Sequence, residues 1–233
     1  MSLCVIPARG GSKRIPRKNI RAFCGKPMIA WPIEAAIASG CFDRVVVSTD
    51  DDEIADVARG AGAEAPFRRA PDLADDHTPT VPVIADAITR LGVPDRTPVC
   101  CLYATSPFVD PADLRWGLEL LEKTGAPFVL SVTTYAFPIQ RALRRDASGA
   151  VEMFNPAQMQ TRSQDLEEAW HDAGQFYWGR ADSWTGGRGI FESGAQGLPL
   201  PRYRAQDIDT EEDWQRAEWM MQVYSRNEAG THD

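Results

Sequence analysis

The densest chemistry in this chain lies between Ile6 and Asn19. There Ile6-Pro7-Ala8-Arg9-Gly10-Gly11-Ser12-Lys13-Arg14-Ile15-Pro16-Arg17-Lys18-Asn19 follows an apolar, strand-like opening. Two adjacent glycines let a backbone turn sharply and bring amide N–H groups close to an anion. Arg9 can fork onto phosphate oxygens, while Lys13 and Lys18 act as mobile point charges. Together these cations would offset a triphosphate and stabilise a departing pyrophosphate. The spacing is not G-x-x-x-x-G-K-[ST] and no G-x-G-x-x-G is present, so neither a Walker A loop nor a dinucleotide cofactor is supported. A solvated basic loop is the alternative reading of such a charge run.

A second constellation stands far downstream, at Asp207-Ile208-Asp209-Thr210-Glu211. In an extended stretch side chains alternate, so Asp207 and Asp209 point to one side. Two hard carboxylate ligands facing a triphosphate suit Mg²⁺, which keeps waters and shares phosphate oxygens. The same residues also read as a turn and capping box for a closing helix. Asp50 and Asp51 are explained equally well as helix N-cap and first-turn acids. Thr78 and Thr80 offer hydroxyls or ordinary caps.

These groups are far apart in sequence and need a frame. Leu3–Pro7 reads as a buried strand, Ala30–Ser39 as a helix closed by Gly40, and Arg44–Ser48 as a second strand. A helix over 51–59, entered through Asp50, follows and stops at Gly60 and Gly62. Further on come a helix over Thr80–Leu91, a strand over Val99–Tyr103, a helix over Pro111–Lys123 and a strand over Phe128–Thr134. Strands separated by ten- to fifteen-residue helices predict an α/β fold, a three-layer, mostly parallel sheet flanked by helices. Ligands bind such sheets at the carboxyl ends of the strands, where the basic loop, Ser48–Asp50 and Ala104–Pro107 all fall. From 135 to 180 the helical rhythm fades, predicting an extended insert for substrate selection or dimerisation. Glu211–Arg226 reads as a closing helix and Asn227–Asp233 as a frayed end. The whole of 1–233 reads as one domain.

Composition narrows the function further. Hydrophobic residues make up 43% of the chain and charged residues 25%, an ordinary globular balance. A net charge of −8 and a pI near 5.0 disfavour nucleic-acid binding by the whole surface. Against that background, Arg9, Lys13, Arg14, Arg17, Lys18 and Arg21 crowd into thirteen residues. No apolar run reaches the roughly 20 residues needed to span a bilayer. The opening residues lack the basic region of a signal peptide, so the expected location is the cytoplasm. Five cysteines without a CxxC pair argue for buried thiols in a reducing compartment, not a zinc site.

The order of residues in the basic loop resembles the signature of sugar nucleotidyltransferases. Within them it resembles the cytidylyltransferases of sialic-acid-like sugars, whose loop reads approximately I-x-A-R-x-G-S-K-x-x-P-x-K-N. Ile6, Ala8, Arg9, Gly11, Ser12, Lys13, Pro16, Lys18 and Asn19 match it. Gly25-Lys26-Pro27-Met28-Ile29 is similar to G-K-P-L-I in that family, and Val47-Ser48-Thr49-Asp50-Asp51 to V-S-T-D-D. Arg69-Ala70-Pro71-Asp72-Leu73-Ala74 is similar to R-P-x-x-L-A with one extra residue. Tyr103-Ala104-Thr105-Ser106-Pro107 stands where sialic acid enzymes carry Q-P-T-S-P, so Tyr103 replaces the glutamine. Phe137–Leu143, Thr161–Leu166 and His171–Trp178 resemble the pseudaminic acid branch, where sialic acid enzymes carry R-P-N-G-A-I-Y at the last of these.

The resemblance implies a Rossmann-like nucleotidyltransferase fold and transfer of CMP from CTP to the anomeric hydroxyl of a nine-carbon α-keto acid sugar. Pseudaminic acid is the first expectation. Pyrophosphate leaves, Mg²⁺ sits on Asp207 and Asp209, and a homodimer forms through the insert. Arg9, Lys13 and Lys18 are the expected catalytic cations. Ala8, Gly10, Gly11, Ser12, Asn19, Arg69 and Thr78 are expected around the nucleotide. Tyr103, Gln140, Arg141, Arg162, Gln164, His171, Gln175 and Tyr177 are expected around the sugar, with Arg141 and Arg162 as partners of its carboxylate. Two other readings remain open: N-acetylneuraminic or legionaminic acid as the sugar, and a non-catalytic nucleotide- or sugar-binding protein on the same fold.

Overall fold

A computed structural model describes residues 1–229, with side chains through Tyr224. In chain order the strands are β1 (Leu3–Pro7), β2 (Ala22–Phe23), β3 (Lys26–Pro27), β4 (Arg44–Ser48), β5 (Pro98–Leu102), β6 (Phe128–Thr134), β7 (Leu143–Arg145), β8 (Val151–Met153), β9 (Trp170–Arg180) and β10 (Gln196–Pro199). The helices are α1 (Ala30–Ser39), α2 (Asp52–Gly60), α3 (Thr80–Leu91), α4 (Pro111–Thr124), α5 (Ala181–Thr185) and α6 (Glu211–Ala229). β1, α1, β4, α3 and β6 fall at the expected bounds. The short apolar runs are buried on both faces, and Gly40 closes α1 in the left-handed region at φ 65°.

One six-stranded sheet runs in the order β10-β6-β9-β5-β1-β4. β1 pairs in parallel with β4 and β5, and β10 in parallel with β6. β9 is antiparallel to both of its neighbours, β5 and β6. Five strands therefore point one way and β9 the other. Of the stretch expected to be extended, Trp170–Arg180 is a central strand of the sheet and 135–169 stands outside it. The consequence for the site is direct. Because β9 runs backwards, its first residues, from Trp170 to Gln175, lie at the carboxyl ends of β5 and β6.

Three apolar clusters hold these layers. One packs α1, α2 and α4 on the sheet through residues such as Ile33, Ile54, Leu114 and Trp178. A second joins the other face to α3 and α5 through Ile84, Ile88, Phe128 and Trp184. The third joins α6 to the β2–β3 hairpin and includes Ile15 of the basic loop and Ile208 between the two aspartates. The hairpin turns through Cys24 (φ 46°) and Gly25 (φ 94°), the pair of positive angles that a tight two-residue turn requires.

Several boundaries differ from expectation: β5 and α2 are each shifted by one residue, and α4 ends one residue later. The N-cap of α2 is Asp51, whose carboxylate accepts from the Ile54 N–H at 3.0 Å, and not Asp50. The closing helix runs on to Ala229, so Asn227–Ala229 are helical; the rest of the expected frayed end lies outside the described residues. No helix among the described residues is long and apolar enough to cross a membrane.

The tightest helix-to-sheet contact is at Gly117 in α4. A Cβ there would stand 2.6 Å from Trp178 Cδ1 and 3.1 Å from Phe176. Trp178 cannot withdraw, because its indole N–H donates to Leu114 O at 3.1 Å and Phe42 stacks on its ring at 5.0 Å. Helix propensity favours Ala over Gly by about 1 kcal/mol, whereas overpacking of a rigid site costs roughly 1–3 kcal/mol. Gly117→Ala is therefore expected to destabilise the protein, which a lowered thermal midpoint would report. An unchanged or higher midpoint would mean that the helix can shift.

Candidate active site

The basic loop leaves the sheet at the end of β1 and is pinned at several points. Ala8 N–H donates to Ser48 O at 2.9 Å, and Asn19 Nδ2 donates to Arg9 O at 2.9 Å, closing the loop on itself. Gly10 N–H donates to Asp50 Oδ1 at 3.0 Å. Gly10 has no room for a side chain, since a Cβ would lie 2.7 Å from Asp51 Oδ2. Gly11 is under no such restriction. Arg17 takes a left-handed conformation at φ 56°, which costs a non-glycine residue about 1 kcal/mol. It is held there by two hydrogen bonds to Asp51, at 2.5 and 3.0 Å, and one to Glu53 at 2.5 Å. The backbone amide of Gly10, expected to face an anion, is thus taken by Asp50. Side chains are left to supply the positive charge.

That charge lines a cavity of about 990 Å³ at the carboxyl ends of the central strands. Arg9, Lys13, Arg14 and Lys18 border it on one side, together with Ser12 and Asn19. Each cation has an acidic partner. Arg9 meets Asp76 at 2.6 Å and the Asp75 carbonyl at 2.7 Å, and Lys13 pairs with the same Asp76. Arg14 meets Asp209 Oδ2 at 2.9 Å; Lys18 reaches Asp209 Oδ1 at 3.3 Å and Ile208 O at 2.8 Å. Hydrogen bonds from Lys13 and then Arg9 hold the Asp76 carboxyl below its ordinary range. Asp207 is pushed the other way, upward, first by burial and then by the neighbouring Asp209 charge.

The opposite wall comes from β5 and β9. Tyr103, Ala104 and Thr105 follow β5, and His171, Asp172, Ala173, Gly174 and Tyr177 belong to β9. The Tyr103 hydroxyl meets Thr80 Oγ1 at 2.8 Å, and its ring stands edge-on to Tyr177 with centroids 5.5 Å apart. Burial pushes the Tyr103 phenol up to about 12 and raises Tyr177 as well, so both stay neutral near pH 7. Tyr177 donates its hydroxyl hydrogen to Asp172 Oδ2. His171 Nδ1 lies 2.8 Å from Asp172 O, and its ring packs on Tyr135 at 4.7 Å.

The cavity thus gathers Arg9, Ser12, Lys13, Lys18, Asn19, Tyr103, His171, Tyr177, Asp207 and Asp209 from the expected set. The others lie elsewhere, for physical reasons. Ala8 is buried beneath the loop. Arg69 is buried at the end of β4, where it donates to Ser48 O and, at 3.2 Å, to Ser48 Oγ; it braces that strand end and does not border the cavity. Thr78 is a loop staple, its hydroxyl donating to Asp75 Oδ1 at 2.6 Å. Gln175 points into the protein, its Nε2 donating to Arg204 O at 2.6 Å. Gln140, Arg141 and Arg162 bond within the insert, to Glu167 O at 2.8 Å, Ser163 Oγ at 3.1 Å and Asp165 Oδ2 at 2.7 Å respectively. Gln164 sits in a turn of the same insert, over Ser163–Asp165.

Sequence reasoning missed Asp76 and gave Arg14 no role. Asp76 carries no motif, and its only signal is an acidic pair, Asp75-Asp76, close to the Arg69 segment. Asp207 and Asp209 fit a divalent cation by donor chemistry. Both carboxylates border the cavity beside the cationic loop, and burial, then the charge of Asp209, raises Asp207. Among the described residues no group of three metal-ligating side chains converges. Two carboxylates are fewer than a full shell, and Mg²⁺ commonly keeps waters and shares phosphate oxygens.

Comparisons with known proteins place the chain in a family. Residues 3–184 match the sequence profile of the family described as Cytidylyltransferase. A pseudaminic acid cytidylyltransferase of Campylobacter jejuni is 43% identical over 224 residues, covering 95% of this chain and 97% of its own. A CMP-N,N'-diacetyllegionaminic acid synthase of Legionella pneumophila is 33% identical, covering 95% and 96%. Among solved structures, a CMP:2-keto-3-deoxy-manno-octonic acid synthetase complexed with CTP superposes with a TM-score of 0.70. It is 18% identical, with 96% of this chain and 100% of that one covered, and shows the shared fold.

Two measurements probe the loop. Asp76 occupies the two cations that an oxyanion would use, and exposed ion pairs are each worth roughly 0.2–1 kcal/mol. Asp76→Asn should therefore bind inorganic triphosphate about threefold or more tightly by calorimetry; weaker binding would show that Asp76 positions the cations instead of competing for them. Asp51 is held at about 2, first by its hydrogen bonds to Arg17. Its contribution is complete above the ordinary carboxylate range and is lost as pH falls from about 4 towards 2. Asp51→Ala, which also removes the α2 cap, should cost about 1 kcal/mol at pH 7. The gap from wild type should close on acidification, and a gap constant down to pH 2 would contradict the assignment.

Proposed function

Because the chain belongs to the cytidylyltransferase family, we propose that it transfers CMP from CTP to the anomeric hydroxyl of a nine-carbon α-keto acid sugar, most closely pseudaminic acid. The observation that carries this reading is the single cavity in which Arg9, Lys13 and Lys18 face Asp207 and Asp209. The choice of sugar rests on the Campylobacter relative. A second sugar, legionaminic acid, is favoured by the Legionella relative, which aligns over nearly the same length.

In this reading Arg9 and Lys13 release Asp76 and take the β- and γ-phosphates, so the charge of the leaving pyrophosphate develops against fixed cations. Lys18, less exposed than Lys13 and braced by Ile208 O, holds the phosphate nearest the carboxylate pair. Asp207 and Asp209 would hold Mg²⁺, which when bound supplies charge neutralisation on the phosphates and acidifies the attacking hydroxyl. The new bond joins the anomeric oxygen to the α-phosphorus, the α–β anhydride bond breaks, and the hydroxyl proton passes to solvent. Tyr103, Tyr177 and His171 form the wall against which the sugar is oriented.

We read 1–233 as one catalytic unit working in the cytoplasm, where its five cysteines stay free. The insert exposes Phe137, Leu143, Val151, Phe154 and Met159, apolar side chains that a second copy of the chain would cover.

Pyrophosphate release with CTP and Mg²⁺ tests the proposal, with pseudaminic, legionaminic and N-acetylneuraminic acids offered in parallel. Activity should be greatest with pseudaminic acid and should fall about 100-fold or more in Asp209→Asn. Preference for another of these sugars would move the substrate and keep the reaction. Silence with all three would support a binding protein without turnover.

A further inference from the structure

The cavity wall formed by β9 contains a charge that an anion-binding site should not want. Both proposed ligands, a triphosphate and an acidic sugar, are negative, yet Asp172 borders the same cavity. Its situation differs from that of Asp76 and Asp209, and it stands on the wall opposite the Asp207–Asp209 pair and the cationic loop. Asp76 and Asp209 are neutralised by Arg9, Lys13, Arg14 and Lys18. The partners of Asp172 are neutral: the Tyr177 hydroxyl on Oδ2, and the Gly174 N–H on Oδ1 at 2.9 Å.

The position of this carboxylate is built. Gly174 takes a left-handed conformation at φ 64°, next to the register shift of β9 against β6 between Leu130 and Val132. That bulge turns the Gly174 amide onto the Asp172 side chain. On the other side Tyr177 is buried and set by its edge contact with Tyr103, which is itself tied to Thr80. A carboxylate oxygen accepts two hydrogen bonds, and each oxygen of Asp172 receives one from the protein. Acceptor capacity therefore remains on a rigid group at the cavity wall.

We propose that Asp172 is a specificity-determining residue that accepts a hydrogen bond from a neutral donor of the sugar, an acylamino N–H or a hydroxyl, and repels the sugar's own carboxylate towards the cationic loop. The proposal rests on the reading of the cavity as a CMP-sugar site. One side chain then performs both halves of recognition, rewarding a donor and penalising an anion. A substrate lacking the donor leaves a charged acceptor desolvated without a partner, which is the condition under which polar sites discriminate strongly.

The test is the KM for pseudaminic acid in Asp172→Asn, alongside sugar analogues lacking either one acylamino N–H or one side-chain hydroxyl. The variant should raise the sugar KM about tenfold or more and leave the KM for CTP within about twofold. The analogue missing the contacted donor should be poorer on wild type and suffer no further loss on the variant, and whichever analogue behaves so identifies the donor. Thermal unfolding of Asp172→Asn, and the same kinetics on Tyr177→Phe, separate recognition from a damaged wall. A wild-type-like sugar KM in a folded variant, or an effect on CTP instead, would overturn the role of Asp172. Wild-type silence with every sugar would overturn the parent reading together with this one.

Discussion

The active-site charges owe their positions to a small apolar cluster that contains none of them. Ile15 stands in the middle of the cationic loop and Ile208 between the two aspartates, and both side chains are buried with Phe23, Met28, Phe108 and Trp214. Burying such a side chain contributes roughly 1.5–3 kcal/mol, whereas each exposed ion pair across the cavity is worth about 0–1 kcal/mol. The pairs joining Arg14 and Lys18 to Asp209 are therefore too weak to hold two loops that meet across some 190 residues of sequence. The apolar anchors hold them. The charges are then free to exchange partners when an anion arrives, which a site built on strong ion pairs would resist.

A second constraint fixes where the aspartate segment enters. Arg204, just upstream of Asp207, is buried with its guanidinium 2.5 Å from Asp113 at the start of α4, and its carbonyl accepts from Gln175 of β9. Burial pushes the Asp113 carboxyl up against the pull of Arg204. Such a pair pays heavily in desolvation, and replacement by apolar residues is often neutral or stabilising elsewhere. What it supplies here is position: α4, β9 and the segment carrying Asp207 and Asp209 meet at one residue. Gln175, expected among the sugar contacts, serves this junction instead.

Legibility in the sequence followed the range of the interactions. Strands such as β1 and β4 were readable because burial on both faces leaves unbroken apolar runs, and α1 because Gly40 marks its end. The cationic loop and the Asp207–Asp209 pair were readable because their chemistry is local, and they border one cavity as expected. β9 was not, since its place between β5 and β6 is decided by pairing far along the chain, and Gly174 and Gly179 interrupt its pattern. Asp50 and Asp51 are chemically identical, so only geometry tells the cap of α2 from the anchor of Gly10. Nothing in the neighbourhood of Arg69 announces that its guanidinium will be buried against Ser48. Arg141 and Arg162 look like ligands for a carboxylate, but the insert uses them for its own turns.

The reversed direction of β9 divides the labour of the site. In the proposed reading the groups for the triphosphate hang from β1 and from the segment before α6, braced by the third apolar cluster. The groups proposed to face the sugar are carried by β5 and β9, braced by the main sheet. The two sets share a cavity and the junction at Arg204, but Ile15 and Ile208 lie in a cluster that contains no residue of β5 or β9. A change at Tyr103, His171 or Asp172 therefore alters the shape and polarity of one wall without disturbing Ile15 or Ile208. This is the physical condition under which one transfer chemistry can serve different acidic sugars. In the proposed reading the loop and the aspartates set the reaction, and a backward strand at the ends of the parallel ones sets what is offered to it.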